Sequence, residues 1–149
     1  MIDGVKVTPL QQFFDERGKV MHMMRNNSPE FTKFGEIYFS CTYPDAVKAW
    51  HLHQKMTLNY AVVHGAIKCV LYDDRPDSPT HGVLEEYFMS PENYFLLSVP
   101  PLVWNGWKGI GKDISIVANC SDIPHDPDEI NRKPAIGSDI DYDWNLKHK

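Results

Sequence analysis

The sequence predicts an all-β protein, a sandwich or barrel of short strands. Three observations carry this expectation. Roughly eight to ten short runs rich in aromatic, aliphatic and β-branched residues follow one another at close spacing. Gly, Pro, Asn and Asp stand between those runs, where turns need them. No stretch sustains the periodicity of a long amphipathic helix.

Residues 5–9 alternate apolar and polar side chains and form the first expected strand, followed by the turn Phe14-Asp15-Glu16-Arg17-Gly18. Residues 20–24 fit strand or helix equally, and Asn26-Asn27-Ser28-Pro29 is a loop. Residues 36–42 read as a strand closed by Tyr43-Pro44-Asp45, and residues 47–53 as the next. Residues 58–64 and 66–73, joined at Gly65, predict a hairpin. Residues 74–82 form a loop by composition; 84–89 and 94–99 are strands separated by Ser90-Pro91-Glu92-Asn93. Pro100-Pro101 opens a corner that Gly106, Gly109 and Gly111 keep irregular, and 114–120 is the last clear strand. Beyond Asp122 the chain is polar and rich in Pro and Asp up to Asp143-Trp144, the pattern of a tail with one short helix wrapping the barrel. Without repeats, low-complexity segments or a linker, residues 1–149 read as one domain.

At 149 residues, with 42% hydrophobic and 23% charged side chains, the composition is that of a soluble globular chain able to bury a core. A formal charge of −5 and a pI near 5.7 give no general electrostatic support to a nucleic-acid or anionic-membrane partner. Any bound anion must then be held by local cations. Cys41, Cys69 and Cys120 are odd in number and far apart, which argues against a disulfide framework or zinc knuckle and for a reducing compartment. No signal peptide is apparent, and no run approaches the roughly 18 apolar residues of a membrane span. The expected location is the cytoplasm.

The chemistry concentrates in Ala49-Trp50-His51-Leu52-His53-Gln54-Lys55. On a strand, His51 and His53 share one face while Trp50 and Leu52 take the other, so one wall faces a cavity and one a core. A His-x-His pair suggests a metal, but a metal site needs further ligands, and the other histidines (His22, His64, His81, His125, His148) are scattered. Base chemistry fits better, since imidazole exchanges a proton near neutral pH; one ring would be the base and the other would bind or relay. A pair of satisfied rim histidines is the competing reading. Arg17, Lys48, Lys55 and Arg75 are cations that could hold a phosphate or diphosphate, though each alone is equally a solvated surface charge. Tyr38, Tyr60, Tyr72, Trp104 and Trp107 could line a wall for a sugar or base, or could belong to the core.

Taken in order, Asp15-Glu16-Arg17-Gly18, the His51 strand, Val70-Leu71-Tyr72-Asp73-Asp74-Arg75, Ser78-Pro79-Thr80-His81-Gly82, Ser90-Pro91-Glu92-Asn93, Val99-Pro100-Pro101 and Asp143-Trp144 resemble the dTDP-4-dehydrorhamnose 3,5-epimerase family. The resemblance implies a cupin jelly-roll barrel with a mostly irregular C-terminal tail. It also implies a homodimer that uses no metal or other cofactor and acts on nucleotide-diphosphate-linked 4-keto-6-deoxy sugars. The ketone acidifies the hydrogens on C3 and C5; a His removes one, and the enolate is reprotonated from the opposite face. By motif, His51 is the implied base, Asp139 the carboxylate orienting it, and Arg17 and Lys48 the holders of the diphosphate. Tyr38, Lys55, Arg75 and Asn105 are further expected substrate contacts.

Three departures stand out. The family's acid, a Tyr two positions before the Cys of the last strand, is Ala118 here; the His after the Pro-Pro corner is Asn105; and the connection from His51 to Gly65 is shorter. The segment His51-Leu52-His53-Gln54-Lys55 and Pro101-Leu102-Val103-Trp104 also resemble the dTDP-4-keto-6-deoxyglucose 3,4-ketoisomerases. The expectation is therefore an epimerase acting at C3 and/or C5, the loss of the family acid pointing either to inversion of a single centre or to an acid role passing to His53, a Tyr or water. A 3,4-ketoisomerase and a non-catalytic sugar-nucleotide-binding cupin are the alternatives.

Overall fold

A computed structural model describes residues 1–147, so His148 lies outside the described residues. In chain order the strands are β1 (Lys6–Pro9), β2 (Gln12–Asp15), β3 (Gly18–Met21), β4 (Glu36–Thr42), β5 (Val47–His53), β6 (Leu58–His64), β7 (Ile67–Tyr72), β8 (Leu84–Met89), β9 (Phe95–Val99), β10 (Trp104–Gly109), β11 (Ser115–Ser121) and β12 (Ile130–Arg132). Two five-stranded antiparallel sheets form a jelly roll, ordered β1-β9-β6-β11-β4 and β12-β5-β10-β7-β8, with β2 and β3 as a separate hairpin. The all-β cupin architecture is thus as the sequence predicts.

Three local expectations change. Residues 58–64 and 66–73 are not a hairpin: β6 belongs to one sheet and β7 to the other. Gly65 turns the corner between them at φ +76°, and a Cβ there would stand 2.6 Å from Ser115 Oγ. The glycine-rich corner after Pro101 contains a central strand of its sheet, β10. Its Gly106 admits close backbone approach, since a Cβ would lie 2.4 Å from that of Ala49 on β5. The turn before Gly18 is the tip of a hairpin whose first strand, β2, begins at Gln12.

The main core fills the space between the sheets, with Leu58, Val62, Ile67, Leu71, Leu97, Val99 and Val117 at its centre. A second core lies on the outer face of the β5 sheet, where Trp50, Leu52, Val70 and Trp104 are covered by Ile140 and Trp144 of the tail. Trp144 tilts against Trp50 at 5.1 Å and anchors through its Nε1–H to the Ala135 carbonyl at 3.2 Å. The tail does wrap the barrel, with a 3-10 turn at Pro127–Glu129 leading into β12, which pairs with β5.

The loop after β7 is organised by Asp73, whose side chain is fully buried. Its carboxylate accepts from Arg75 Nε and Nη2 at 2.8 Å each, and from Ser78 Oγ and Thr80 Oγ1 at 2.6 Å each. The Arg75 guanidinium, outweighing burial, holds Asp73 far below the ordinary carboxylate range. A depressed pKa stabilises the fold above the unfolded value of about 3.9, and the contribution is lost as pH falls below it. Asp73→Ala strands several donors and is expected to cost about 3 kcal/mol at pH 7, with a smaller cost near pH 3; urea unfolding at both pH values measures this.

Candidate active site

A cavity of about 230 Å³ opens between the two sheets. Tyr38 and Ser40 of β4 and Tyr60 of β6 line it from one sheet; Lys48, His51 and His53 of β5, Trp107 of β10 and Arg132 of β12 line it from the other. It adjoins a second hollow of about 370 Å³ that shares Tyr38, His53, His125 and Ile130 and extends past Glu36 and Met56. Another hollow of comparable size, about 330 Å³, lies between β1 and the 22–30 segment. Its one imidazole, His22, is engaged at 2.9 Å by Arg25, and it collects no comparable set of titratable groups.

Strand alternation places His51 and His53 on the cavity side and Trp50 and Leu52 beneath the tail, as the pattern predicts. The same alternation would send Lys48 to the Trp50 face. A bulge prevents this: Asn105 pairs with His51 while Trp107 pairs with Lys48, so three steps along β5 oppose two along β10. Lys48 thereby reaches the cavity, where its Nζ donates to Ser40 Oγ at 3.0 Å and the Cys41 carbonyl at 2.6 Å. Arg132, which the sequence reading did not single out, stands opposite His51 in the β12–β5 register.

Among the described residues no side-chain hydrogen bond ties the His51 ring. Burial, followed by the charges of Arg132, His53 and Lys48, lowers its pKa to about 4. At neutral pH the ring is uncharged and can accept a proton.

His53 is held differently. Its Nδ1 is hydrogen-bonded to Glu129 Oε1, and both side chains are almost completely buried. Glu129 Oε2 accepts the backbone N–H of Lys55 at 3.1 Å and of Met56 at 3.3 Å. Burial would raise the Glu129 pKa, but the His53 and backbone hydrogen bonds outweigh it and keep it below the usual range. An ionised carboxylate accepts only, so Nδ1 of His53 carries the hydrogen and Nε2 is left for the cavity. The carboxylate of this site is thus Glu129, and it orients His53. Asp139 does not reach His51: its side chain is 71% exposed and pairs with Lys133 at 2.7 Å.

The remaining expected contacts divide. Tyr38 lines the cavity. Asn105 does not; it is fully buried, donates from Nδ2 to the His51 carbonyl at 3.1 Å and accepts the Tyr60 hydroxyl at 3.0 Å, so it braces the wall. The Lys55 side chain is exposed, and the residue serves through its backbone N–H. Arg75 is committed to Asp73 and borders a different hollow beside Leu52 and Trp104. Arg17 sits at the β2–β3 tip, 89% exposed, paired with Asp15 at 2.6 Å. Ala118 also faces away from the cavity. It pairs with Ala61 and with Phe39, whose ring is exposed, while its neighbour Asn119 pairs with Tyr38 and Tyr60 on the cavity side. Among the described residues no three His, Cys, Asp or Glu cluster as a metal site, and the three cysteines are free thiols.

Barrel, wall chemistry and cavity position together define a small cupin with a histidine-lined cavity between its sheets. The profile of the dTDP-4-dehydrorhamnose 3,5-epimerase family matches residues 1–148, and the chain belongs to that family. It is accordingly an isomerase of the racemase and epimerase type. Similar relatives include the spore coat polysaccharide biosynthesis protein SpsL of Bacillus subtilis, 32% identical and covering 100% of both chains. A probable low-salt glycan biosynthesis epimerase of Haloferax volcanii is 36% identical over 98% of this chain and 96% of its own. The crystal structure of a dTDP sugar isomerase from Desulfovibrio desulfuricans is 45% identical, covers 96% of this chain and 92% of its own, and superposes with a TM-score of 0.93.

Proposed function

We propose that the protein inverts a single carbon, C3 or C5, next to the C4 ketone of a dTDP-linked 4-keto-6-deoxy sugar, with His51 as the base. The observation that carries this reading is an uncharged imidazole, with no side-chain hydrogen bond among the described residues, facing a cavity beside two cations. Lys48 and Arg132 supply positive charge for the diphosphate in an otherwise acidic protein. The ketone makes the neighbouring C–H acidic, and His51 takes that proton as the electron pair moves into the enolate. Diphosphate binding neutralises two of the charges that depress His51 and so strengthens the base when substrate is present. His53, held by Glu129, supports proton exchange from the same wall. The relatives are named for spore coat polysaccharide biosynthesis and low-salt glycan biosynthesis, and polysaccharide or glycan synthesis is the setting proposed here.

Incubating the protein with a dTDP-4-keto-6-deoxyhexose in D2O, followed by NMR, tests the reading. Deuterium at C3 or C5 together with an inverted centre is expected. A 3-keto product would reassign the protein as a ketoisomerase, and binding without exchange would make it a binding protein.

We also propose a homodimer. Ile37, Phe39 and Tyr43 are 51%, 60% and 75% exposed in and just beyond β4, at a free sheet edge, and a second copy would cover them. Light scattering should read twice the 17.2 kDa chain mass; a monomer that is active at assay concentration would rule this out.

A further inference from the structure

Inversion needs a proton donor on the wall facing the base, and the family's position for it, Ala118, points outward. Two phenols from the facing sheet line the cavity, and their hydrogen bonds distinguish them. Tyr60 is fully buried and donates its hydroxyl hydrogen to Asn105 Oδ1 at 3.0 Å, so that hydrogen is committed to the wall. Tyr38 instead accepts a hydrogen, from Asn119 Nδ2 at 3.0 Å. The orientation of that amide is fixed, because Asn119 Oδ1 accepts the backbone N–H of Asn59 at 2.9 Å. An amide NH2 only donates, so the Tyr38 hydrogen is not spent on Asn119. Ser40 offers a hydroxyl nearby, but an alcohol is far too weak an acid, and Lys48 is held by Ser40 and the Cys41 carbonyl.

We propose that Tyr38 is the catalytic acid, delivering a proton to the face of the sugar opposite His51. This rests on the epimerase reading of the cavity. Tyr38 comes from β4 and His51 from β5, in facing sheets, and both line the same cavity. Burial raises the Tyr38 pKa above the usual phenol range, so the hydroxyl stays protonated until the enolate forms. In the step, His51 gains the proton from carbon, and the enolate electron pair forms a new C–H bond with the Tyr38 hydroxyl hydrogen, leaving a phenolate. Exchange with water discharges the imidazolium and reprotonates the phenolate. No oxidant or reductant is involved. The acid thus lies one strand away from the family position, on β4 instead of β11, and Asn119 of β11 serves as its positioning residue.

The test is Tyr38→Phe with a dTDP-4-keto-6-deoxyhexose in D2O, following inversion and deuterium uptake separately by NMR, with dTDP affinity by calorimetry as the check on folding. Inversion is expected to fall about 100-fold or more, while deuterium still enters the same carbon with configuration retained, because His51 removes a proton and returns a deuteron from one side. Inversion within about threefold of wild type would overturn the proposal. So would a parallel loss of exchange and inversion with dTDP affinity intact, or appearance of the retention phenotype in Tyr60→Phe instead. Absence of both exchange and inversion in the wild-type protein would overturn the epimerase reading itself.

Discussion

His51→Ala is expected to lower kcat for inversion by about 10³-fold and to abolish deuterium uptake with it, the loss that removal of a general base produces. Both signals vanish together because abstraction precedes reprotonation, which separates this variant from Tyr38→Phe. The pH profile carries a second signature. His51 is active when neutral, and burial together with Arg132, His53 and Lys48 sets its pKa at about 4. Activity measured as kcat/KM should therefore hold level through neutral pH and fall as pH drops through about 4, well below the ordinary histidine value. Arg132→Met removes one of the depressing charges, so the acid limb should move to higher pH while KM rises. Stability is linked in the same sense. The unfolded histidine titrates near 6.5, so the stability contributed by keeping His51 neutral is complete above that pH and declines towards pH 4.

The second large effect is on folding. Glu129→Ala is expected to destabilise the protein by about 3–5 kcal/mol, the range for breaking a buried ion-paired or charge-assisted contact by removing one partner. Two backbone donors, Lys55 N and Met56 N, lose their acceptor as well. Glu129→Gln keeps an acceptor and should cost less. The Glu129 pKa lies below the usual carboxylate value, so the wild-type advantage is present above about pH 4.3 and is lost as pH falls below it. Urea unfolding of both variants at pH 7 and near pH 3.5 measures the difference. Equal stability of wild type and Glu129→Ala at pH 7 would show that the pair contributes nothing net.

The strands legible in the sequence are those with dense apolar runs: 36–42, 47–53, 58–64 and 84–89 match the predicted bounds, and 6–9, 67–72 and 95–99 fall within them. Periodicity also put the two histidines on one face, because that depends only on strand geometry. What it could not show is where alternation breaks. Lys48 reaches the cavity through the bulge opposite Asn105 and Trp107, a property of the pairing between β5 and β10. Gly106 looked like a loop residue because its purpose, close approach to Ala49, is visible only once both strands are placed. The carboxylate partner is hidden from the sequence for a related reason. The tail carries several acids, and nothing local separates Asp139 from Glu129, which lies 76 positions beyond His53 and meets it through the 3-10 turn before β12. The capping of that turn by Asp126, ahead of Pro127, is the one local signal that a structured element stands there.

Trp50, the neighbour of His51, is backed by Tyr142 and Trp144 of the tail. The wall carrying His51 therefore has a lining and a backing specified by segments far apart in the chain. A mutational library limited to the residues that line the cavity would leave out the aromatics that back the histidine strand. Trp144→Leu or Tyr142→Leu is expected to change selectivity among sugars of different bulk, from residues outside the cavity lining.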